Sequence, residues 1–84
     1  MQKIYKYRLT GGNVSLPEGA EILDIQYQNE KLTMWALVNP AVTKTATRMI
    51  EVYGTGESIL YGKRIYLKTL QQGPYVWHIF ELLS

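Results

Sequence analysis

One glycine-containing segment of the sequence combines groups that can bind an anion. Glycines after a strand let successive backbone N–H groups turn toward an anion, and threonine and serine hydroxyls can add hydrogen bonds. The alternative is a plain glycine turn, because the segment lacks the lysine and spacing of a Walker loop and no helix is predicted after it. The candidate ligand-binding set is Gly54, Thr55, Gly56 and Ser58, together with Arg64.

The single histidine, His78, is the candidate for a general base. It lies in a strand-like stretch, where alternation places it on one face with Val76 and Phe80. On such a face a neutral histidine hydrogen-bonded to a neighbour is the ordinary outcome, whereas a base needs a polar cleft and a nucleophile or water. We therefore interpret His78 as structural and predict no catalytic residue.

Basic and aromatic residues are interleaved in two segments, residues 3–8 and 61–68. Such a surface would suit single-stranded nucleic acid, because the cations can bind the phosphates and the tyrosines can stack on the bases. However, alternation places Tyr5 and Tyr7 on the face opposite Lys6 and Arg8, as expected for a strand with one buried and one solvated face. Both interpretations stay open, and the cations of the nucleic-acid hypothesis are Lys3, Lys6, Arg8, Lys63, Arg64 and Lys68.

Tyrosine is the most abundant aromatic residue, with seven copies beside two tryptophans. This number of aromatic rings exceeds what a small core readily buries, and amphipathic rings are favoured at recognition surfaces. Those nearest the predicted turns, with two neighbouring lysines, form the predicted interaction surface: Tyr61, Tyr66, Tyr75, Lys63 and Lys68.

Length and composition limit the classes of protein that the chain can represent. The 84 residues are 46% hydrophobic, which predicts a single domain over residues 1–84. With no cysteine and one histidine, thiol catalysis, disulfide scaffolds and multi-histidine metal sites are excluded, and no cofactor or metal is predicted. No stretch resembles a signal peptide or a membrane-spanning helix, so we expect a cytoplasmic protein without membrane association. The net charge of +2 is too small to argue for a polyanion partner.

The hydrophobic pattern has a period of two along almost the whole chain, which predicts strands. Turns are predicted at residues 10–13, 17–20, 29–30 and 72–74, with hairpins around the last two. The strand that contains Trp35 is apolar on both faces and is predicted to be the most buried. Residues 41–46 are predicted to form a loop and residues 57–64 a long exposed connection.

These elements predict an all-β fold, a small antiparallel β-sandwich or partly open barrel of about seven short strands joined largely as meander hairpins. Exposed edges are a hazard of such folds, which proteins relieve by charge, closure or pairing with another copy. The first strand, residues 4–9, and the last, residues 75–82, are the candidate edges. We therefore predict a homo-oligomer that pairs one of them.

Five segments of the chain occur in a recognisable order: IYKY at residues 4–7, LPEGAEIL at residues 16–23, WALVNP at residues 35–40, YGTG at residues 53–56 and VWHIFE at residues 76–81. Together they resemble a small family of uncharacterised domains found in bacteriophage genomes. The resemblance spans nearly the whole chain and implies a phage or prophage origin and the cytoplasm of an infected bacterium.

The predicted function is that of a non-enzymatic, phage-encoded binding protein. It would inhibit a host or anti-phage defence factor by binding a host protein, or would sequester a small anionic ligand. The alternative is a single-stranded nucleic-acid-binding β domain. A small hydrolase built around His78 is the least favoured hypothesis, because sequence spacing identifies no partner for that base.

Overall fold

The computed structural model describes residues 1–83; the predicted domain extends to Ser84, which lies outside the described residues. The described part contains seven strands and no helix. The strands are β1 (Lys3–Arg8), β2 (Gly12–Pro17), β3 (Glu21–Gln28), β4 (Lys31–Val38), β5 (Thr45–Gly54), β6 (Arg64–Gln72) and β7 (Tyr75–Leu82). No helix long and apolar enough to cross a membrane occurs among residues 1–83.

The strands form two antiparallel sheets packed as a sandwich, which confirms the predicted all-β class. The three-stranded sheet has the order β1-β4-β3 and the four-stranded sheet has the order β2-β5-β7-β6. Both sheets contribute fully buried side chains to one core, Ile25 and Met34 from the first and Leu16, Ile50 and Ile79 from the second.

The turn at 17–20 and the two predicted hairpins are confirmed, whereas the turn predicted at 10–13 is shorter than expected because β2 already begins at Gly12. Asn29 and Glu30 form a two-residue hairpin with φ of 52° and 63°, and Gln28 pairs with Lys31 across it. Gly73, with φ of 55°, occupies the turn of the second hairpin. Positive φ at two non-glycine residues is characteristic of the type I′ turn, whose twist matches that of the strands it joins.

The predicted sides of β1 are also confirmed. Tyr5 lies opposite Ala36 and Tyr7 opposite Met34, both buried, so these tyrosines face the core side of the sheet. Lys6 and Arg8 consequently lie on the outer face. The strand predicted to be the most buried, β4, is central in its sheet and has four buried residues.

Two expectations about edges and connections are wrong. The last strand, β7, is not an edge, because β5 and β6 pair with its two sides. Ile79 and Glu81 of β7 are buried, and an interior position in the sheet pairs the backbone groups of such a strand on both of its edges. The meander expectation also fails, since only β3–β4 and β6–β7 pair consecutive strands. The edges are β1 and β3 in one sheet and β2 and β6 in the other.

One predicted loop is partly a strand. The region 41–46 was expected to be irregular, but β5 begins at Thr45, which pairs with Pro17 of β2. Long-range pairing with β2 thus overrides a local sequence that carries no strand signal. The predicted long connection at residues 57–64 is exposed up to Lys63, and β6 begins at Arg64.

Candidate functional site

The ion pairs divide the nine basic residues into two groups. Within residues 1–83, three basic residues pair with carboxylates, and each pair holds the fold together. The cations without such a pair in this part of the chain are therefore the ones available to an external anion. They are Lys3, Lys6, Arg8, Lys31, Lys44 and Lys63.

Arg64, a member of the predicted ligand-binding set, belongs to the paired group. Its Nε donates to Glu51 Oε1 at 2.6 Å and its Nη1 donates to the carbonyl of Leu60 at 2.6 Å, while its guanidinium lies over the ring of Tyr53. The hydrogen bond from Arg64 holds the pKa of Glu51 below its ordinary value. Arg64 thus fixes the 55–63 connection against the outer face of the four-stranded sheet.

Lys68, from the predicted interaction surface, links the two sheets. Its Nζ donates to Asp24 Oδ1 at 2.8 Å, and this contact joins the edge strands β6 and β3. Hydrogen bonds from Lys68 and then from Gln26 lower the pKa of Asp24. The partly buried contact closes that side of the sandwich.

Three unpaired cations meet in one cleft on the outer face of the three-stranded sheet. The cleft has a volume of about 520 Å³ and is lined by Lys6, Arg8, Gln28, Asn29, Lys31 and Thr33. No carboxylate is among these lining residues. Charges of one sign that line a concave surface strengthen the electrostatic potential inside it. The chemistry that this cleft offers is therefore anion binding.

The walls and floor of the cleft come from three strands in register. Arg8 lies opposite Thr33, and Gln28 lies opposite Lys31. Because Thr33 is only 5% exposed, the long side chains around it form the walls and it forms the floor. Lys6 Nζ donates to Gln28 Oε1 at 3.3 Å, which places the ammonium group over β4. This contact is long and its acceptor is an uncharged amide, so it leaves the charge of the Lys6 ammonium group without a counter-charge.

The hairpin turn frames one end of this cleft. Asn29 in the turn contributes to the lining, and its positive φ directs the chain back so that Lys31 faces the same side as Lys6 and Arg8. Trp35, the next residue along this face of β4, lies opposite Lys6. A half-buried tryptophan therefore neighbours Lys6 across the strand pair.

The predicted anion cradle at residues 54–58 is engaged within the protein. The N–H of Gly54 donates to Glu57 Oε1 at 3.0 Å, and the N–H of Glu57 donates to the carbonyl of Gly54 at 3.1 Å. Glu57 thus supplies an internal carboxylate to this turn. Gly56 has φ of 88°, and Ser58 is exposed in the connection that follows. Arg64 contacts Glu51, Leu60 and Tyr53, none of which belongs to the predicted ligand-binding set. The structure therefore does not bring Arg64 and residues 54–58 together in one site.

His78 lies on the predicted face and belongs to a chain of hydroxyl groups. Its Nε2 is 2.7 Å from Thr55 Oγ1, and its Nδ1 is 3.2 Å from Thr69 Oγ1, which is in turn 2.6 Å from the hydroxyl of Tyr66. Both ring nitrogens thus contact hydroxyl groups, and neither contacts a carboxylate. The arrangement fastens the 54–58 turn to β6 and β7.

The three tyrosines of the predicted interaction surface have different surroundings in the structure. Tyr66 makes an edge contact with Phe80 on the outer face of the four-stranded sheet. Tyr75 stacks on Trp77 with centroids 5.9 Å apart, beside a smaller cleft of about 340 Å³ that also includes Gly54. Tyr61 is fully exposed in the 55–63 connection, and Lys63 is exposed near it.

The sequence-based search missed most of the basic cleft. It identified Lys6 and Arg8, but not Lys31 or Thr33. It grouped the first two with Lys3, with Lys63 of the 55–63 connection, and with Arg64 and Lys68 of the other sheet. The available signal was the hairpin: a two-residue turn at 29–30 places Lys31 opposite Gln28. The pairing of β1 with β4 was needed as well, and it had no local signal.

Comparison with known proteins places the chain in an uncharacterised domain family. The fold and the cleft define a small two-sheet β domain with a basic outer face. A family described as Domain of unknown function (DUF7352) matches residues 1–84, and the chain belongs to this family. No curated protein and no solved structure matches the chain significantly.

Proposed function

We propose that this domain is a non-enzymatic binding protein that holds an anionic group of its ligand in the basic cleft. The observation that carries the proposal is the convergence of Lys6, Arg8 and Lys31 on one cleft whose lining contains no carboxylate. Each of the three remains without an ion-pair partner among residues 1–83. A carboxylate or phosphate group is the natural complement of such a site.

Calorimetric titration with inorganic pyrophosphate tests this proposal. Binding is expected for the wild-type protein and should weaken as salt rises, because the cations lie near the surface. The triple variant Lys6→Gln, Arg8→Gln, Lys31→Gln should lose binding. A matched triple variant at unpaired cations away from the cleft, Lys3→Gln, Lys44→Gln, Lys63→Gln, should keep it; equal loss in both would contradict a local site.

Single-stranded nucleic acid is the second candidate ligand. Its specific support is Trp35, which lies opposite Lys6 and can offer a stacking surface beside a phosphate-binding cation. Fluorescence anisotropy with an oligothymidine should then show binding that weakens steeply with salt through counterion release. A Trp35→Leu variant should weaken oligothymidine binding more than pyrophosphate binding.

The biological setting that we propose is an infected bacterium. The segments at residues 35–40 and 76–81 support it through their resemblance to phage-encoded domains. In that setting the domain would block a host or anti-phage defence factor, either by binding a protein directly or by sequestering an anionic small molecule, in the bacterial cytoplasm. Affinity capture from infected cells followed by native mass spectrometry would distinguish a retained protein from a retained small anion.

We also propose that the domain forms a homo-oligomer. The 55–63 connection supports this proposal, because Leu60 is 85% exposed and Tyr61 is fully exposed in a segment that Arg64 holds in place. Apolar side chains presented on an ordered connection are typical of protein contact surfaces.

A further inference from the structure

The free edge of β1 carries the strongest unassigned binding feature of the molecule. β1 is an outer strand of its sheet and, among residues 1–83, pairs only with β4. The opposite edge of the same sheet, β3, is joined to β6 by the Lys68–Asp24 contact. An edge strand with unpaired backbone groups is a template for another extended chain.

The register identifies which backbone groups of β1 are free. The N–H of Leu9 donates to the carbonyl of Leu32 at 2.9 Å, and these two residues continue the antiparallel register of β1 and β4. In an antiparallel pair, hydrogen-bonded residues alternate with residues whose backbone groups point away. The N–H and carbonyl groups of Ile4, Lys6 and Arg8 therefore point to the free edge.

Charge selects among the chains that can pair there. The three free residues have side chains on the outer face, and two of these, Lys6 and Arg8, line the basic cleft. A second copy of β1 would bring like charges together, which is unfavourable across paired strands. β2, an edge strand of the other sheet, contains no charged residue and therefore offers β1 no opposite charge. The edge of β1 is thus complementary to an acidic strand.

We propose that an extended acidic segment of a partner protein adds as a fourth strand to the three-stranded sheet along β1. Its acidic side chains, at every second position, lie beside Lys6 and Arg8 and reach into the cleft. The intervening side chains are apolar and face the side of Tyr5, which is 40% exposed. Backbone hydrogen bonds supply affinity and the alternating side chains supply specificity.

This inference rests on the proposed function, because the acidic side chains use the same cleft. The probe is a six-residue peptide alternating glutamate and valine, matched to the six residues of β1. Its affinity for the wild-type protein is measured by calorimetry at low salt. A peptide with glutamine in place of glutamate, and the Lys6→Gln, Arg8→Gln variant, should each reduce affinity about tenfold or more.

Backbone pairing is tested by N-methylation of the peptide, which removes N–H donors without changing charge. One peptide is methylated on its glutamates and another on its valines, because either set can face β1 depending on strand direction. One of the two should fail to bind. The Ile4→Pro variant complements this test: it removes a free-edge donor, and proline is tolerated on edge strands.

The outcomes separate this inference from the proposed function. Equal binding by both methylated peptides, or binding of oligothymidine in place of the peptide, would overturn strand addition. Pyrophosphate binding without peptide binding would also overturn it and leave the anion-binding cleft intact. Failure of both pyrophosphate and peptide would overturn the cleft itself. A dimer that pairs β1 with β1 would show that a second copy takes this edge and would overturn the inference.

Discussion

The guanidinium of Arg48 and the carboxylate of Glu81 form a two-point ion pair on the core-facing side of the four-stranded sheet. Nε and Nη2 donate to the two carboxylate oxygens at 2.7 and 2.9 Å, and Nη1 donates to the carbonyl of Ala20 at 2.6 Å. The Glu81 side chain is 8% exposed, and its hydrogen bonds raise the pKa of Arg48. Because Ala20 immediately precedes β3, Arg48 ties the two sheets together.

Removal of Arg48 should destabilise the fold strongly. The Arg48→Met variant leaves the buried carboxylate of Glu81 without its partner, and this change should cost about 3 kcal/mol in the free energy of unfolding. Urea denaturation measures the loss as a lower midpoint. The double variant Arg48→Met, Glu81→Leu should recover much of the stability, since no uncompensated charge remains. A double variant no more stable than Arg48→Met would contradict the explanation.

Stability should fall in acid through Glu51 and Asp24. The hydrogen bonds from Arg64 and Lys68 hold the pKa of each carboxyl below its ordinary value in the folded protein. Each carboxylate therefore contributes stability that is complete above the unfolded-state pKa, about 4, and is lost as pH falls through the lower folded-state pKa. Urea midpoints measured from pH 7 to pH 2 should decrease below about pH 5, and less so in the Glu51→Gln, Asp24→Asn variant. An unchanged slope in that variant would assign the acid effect to other groups.

Glu30→Gly should stabilise the hairpin beside the cleft. Glu30 has φ of 63°, a conformation that costs a residue with a Cβ about 1 to 2 kcal/mol, part of which is offset because glycine has more freedom in the unfolded chain. A net gain of about 0.5 to 1 kcal/mol is expected by urea denaturation. Glu30→Gln is the matched control, since it removes the charge and keeps the backbone strain. Equal gains in both variants would point to charge instead of conformation.

The oligomeric state should depend on the 55–63 connection. Light scattering coupled to size-exclusion chromatography should give a mass above the 9.7 kDa of one chain. Leu60→Ser, Tyr61→Ser should shift the mass toward 9.7 kDa, because exposed apolar side chains would be replaced by polar ones. The control Leu23→Ser changes another exposed apolar residue, one outside the connection, and should have no effect. A wild-type protein found only at 9.7 kDa would reject oligomerisation.

Much of the local structure was predictable because it depends on short-range rules. Period-two alternation located the strands, and the two-residue link at 29–30 required a hairpin whatever the rest of the chain does. The faces of Tyr5 and Lys6 followed from the same alternation. Sheet order was less accessible, because pairing of β1 with β4 and of β5 with β7 depends on long-range packing. The position of β7 inside its sheet is the clearest example.

The candidate site was only partly predictable for the same reason. Glycines and hydroxyls drew attention to residues 54–58, but a single residue, Glu57, supplies a carboxylate to that turn in the folded chain. The sequence likewise did not distinguish Arg64, which pairs with Glu51, from Arg8, which has no ion-pair partner among the described residues. Whether a cation is free to bind a ligand depends on which carboxylate the fold brings to it.

The most direct test of the anion-binding cleft is an NMR titration of the ¹⁵N-labelled protein with pyrophosphate. The amide signals of Lys6, Arg8, Lys31 and Thr33 should shift together with one saturating curve, while those of residues 54–58 should remain in place. Shifts confined to residues 54–58, or no saturating shift at any of the four cleft residues, would contradict the account.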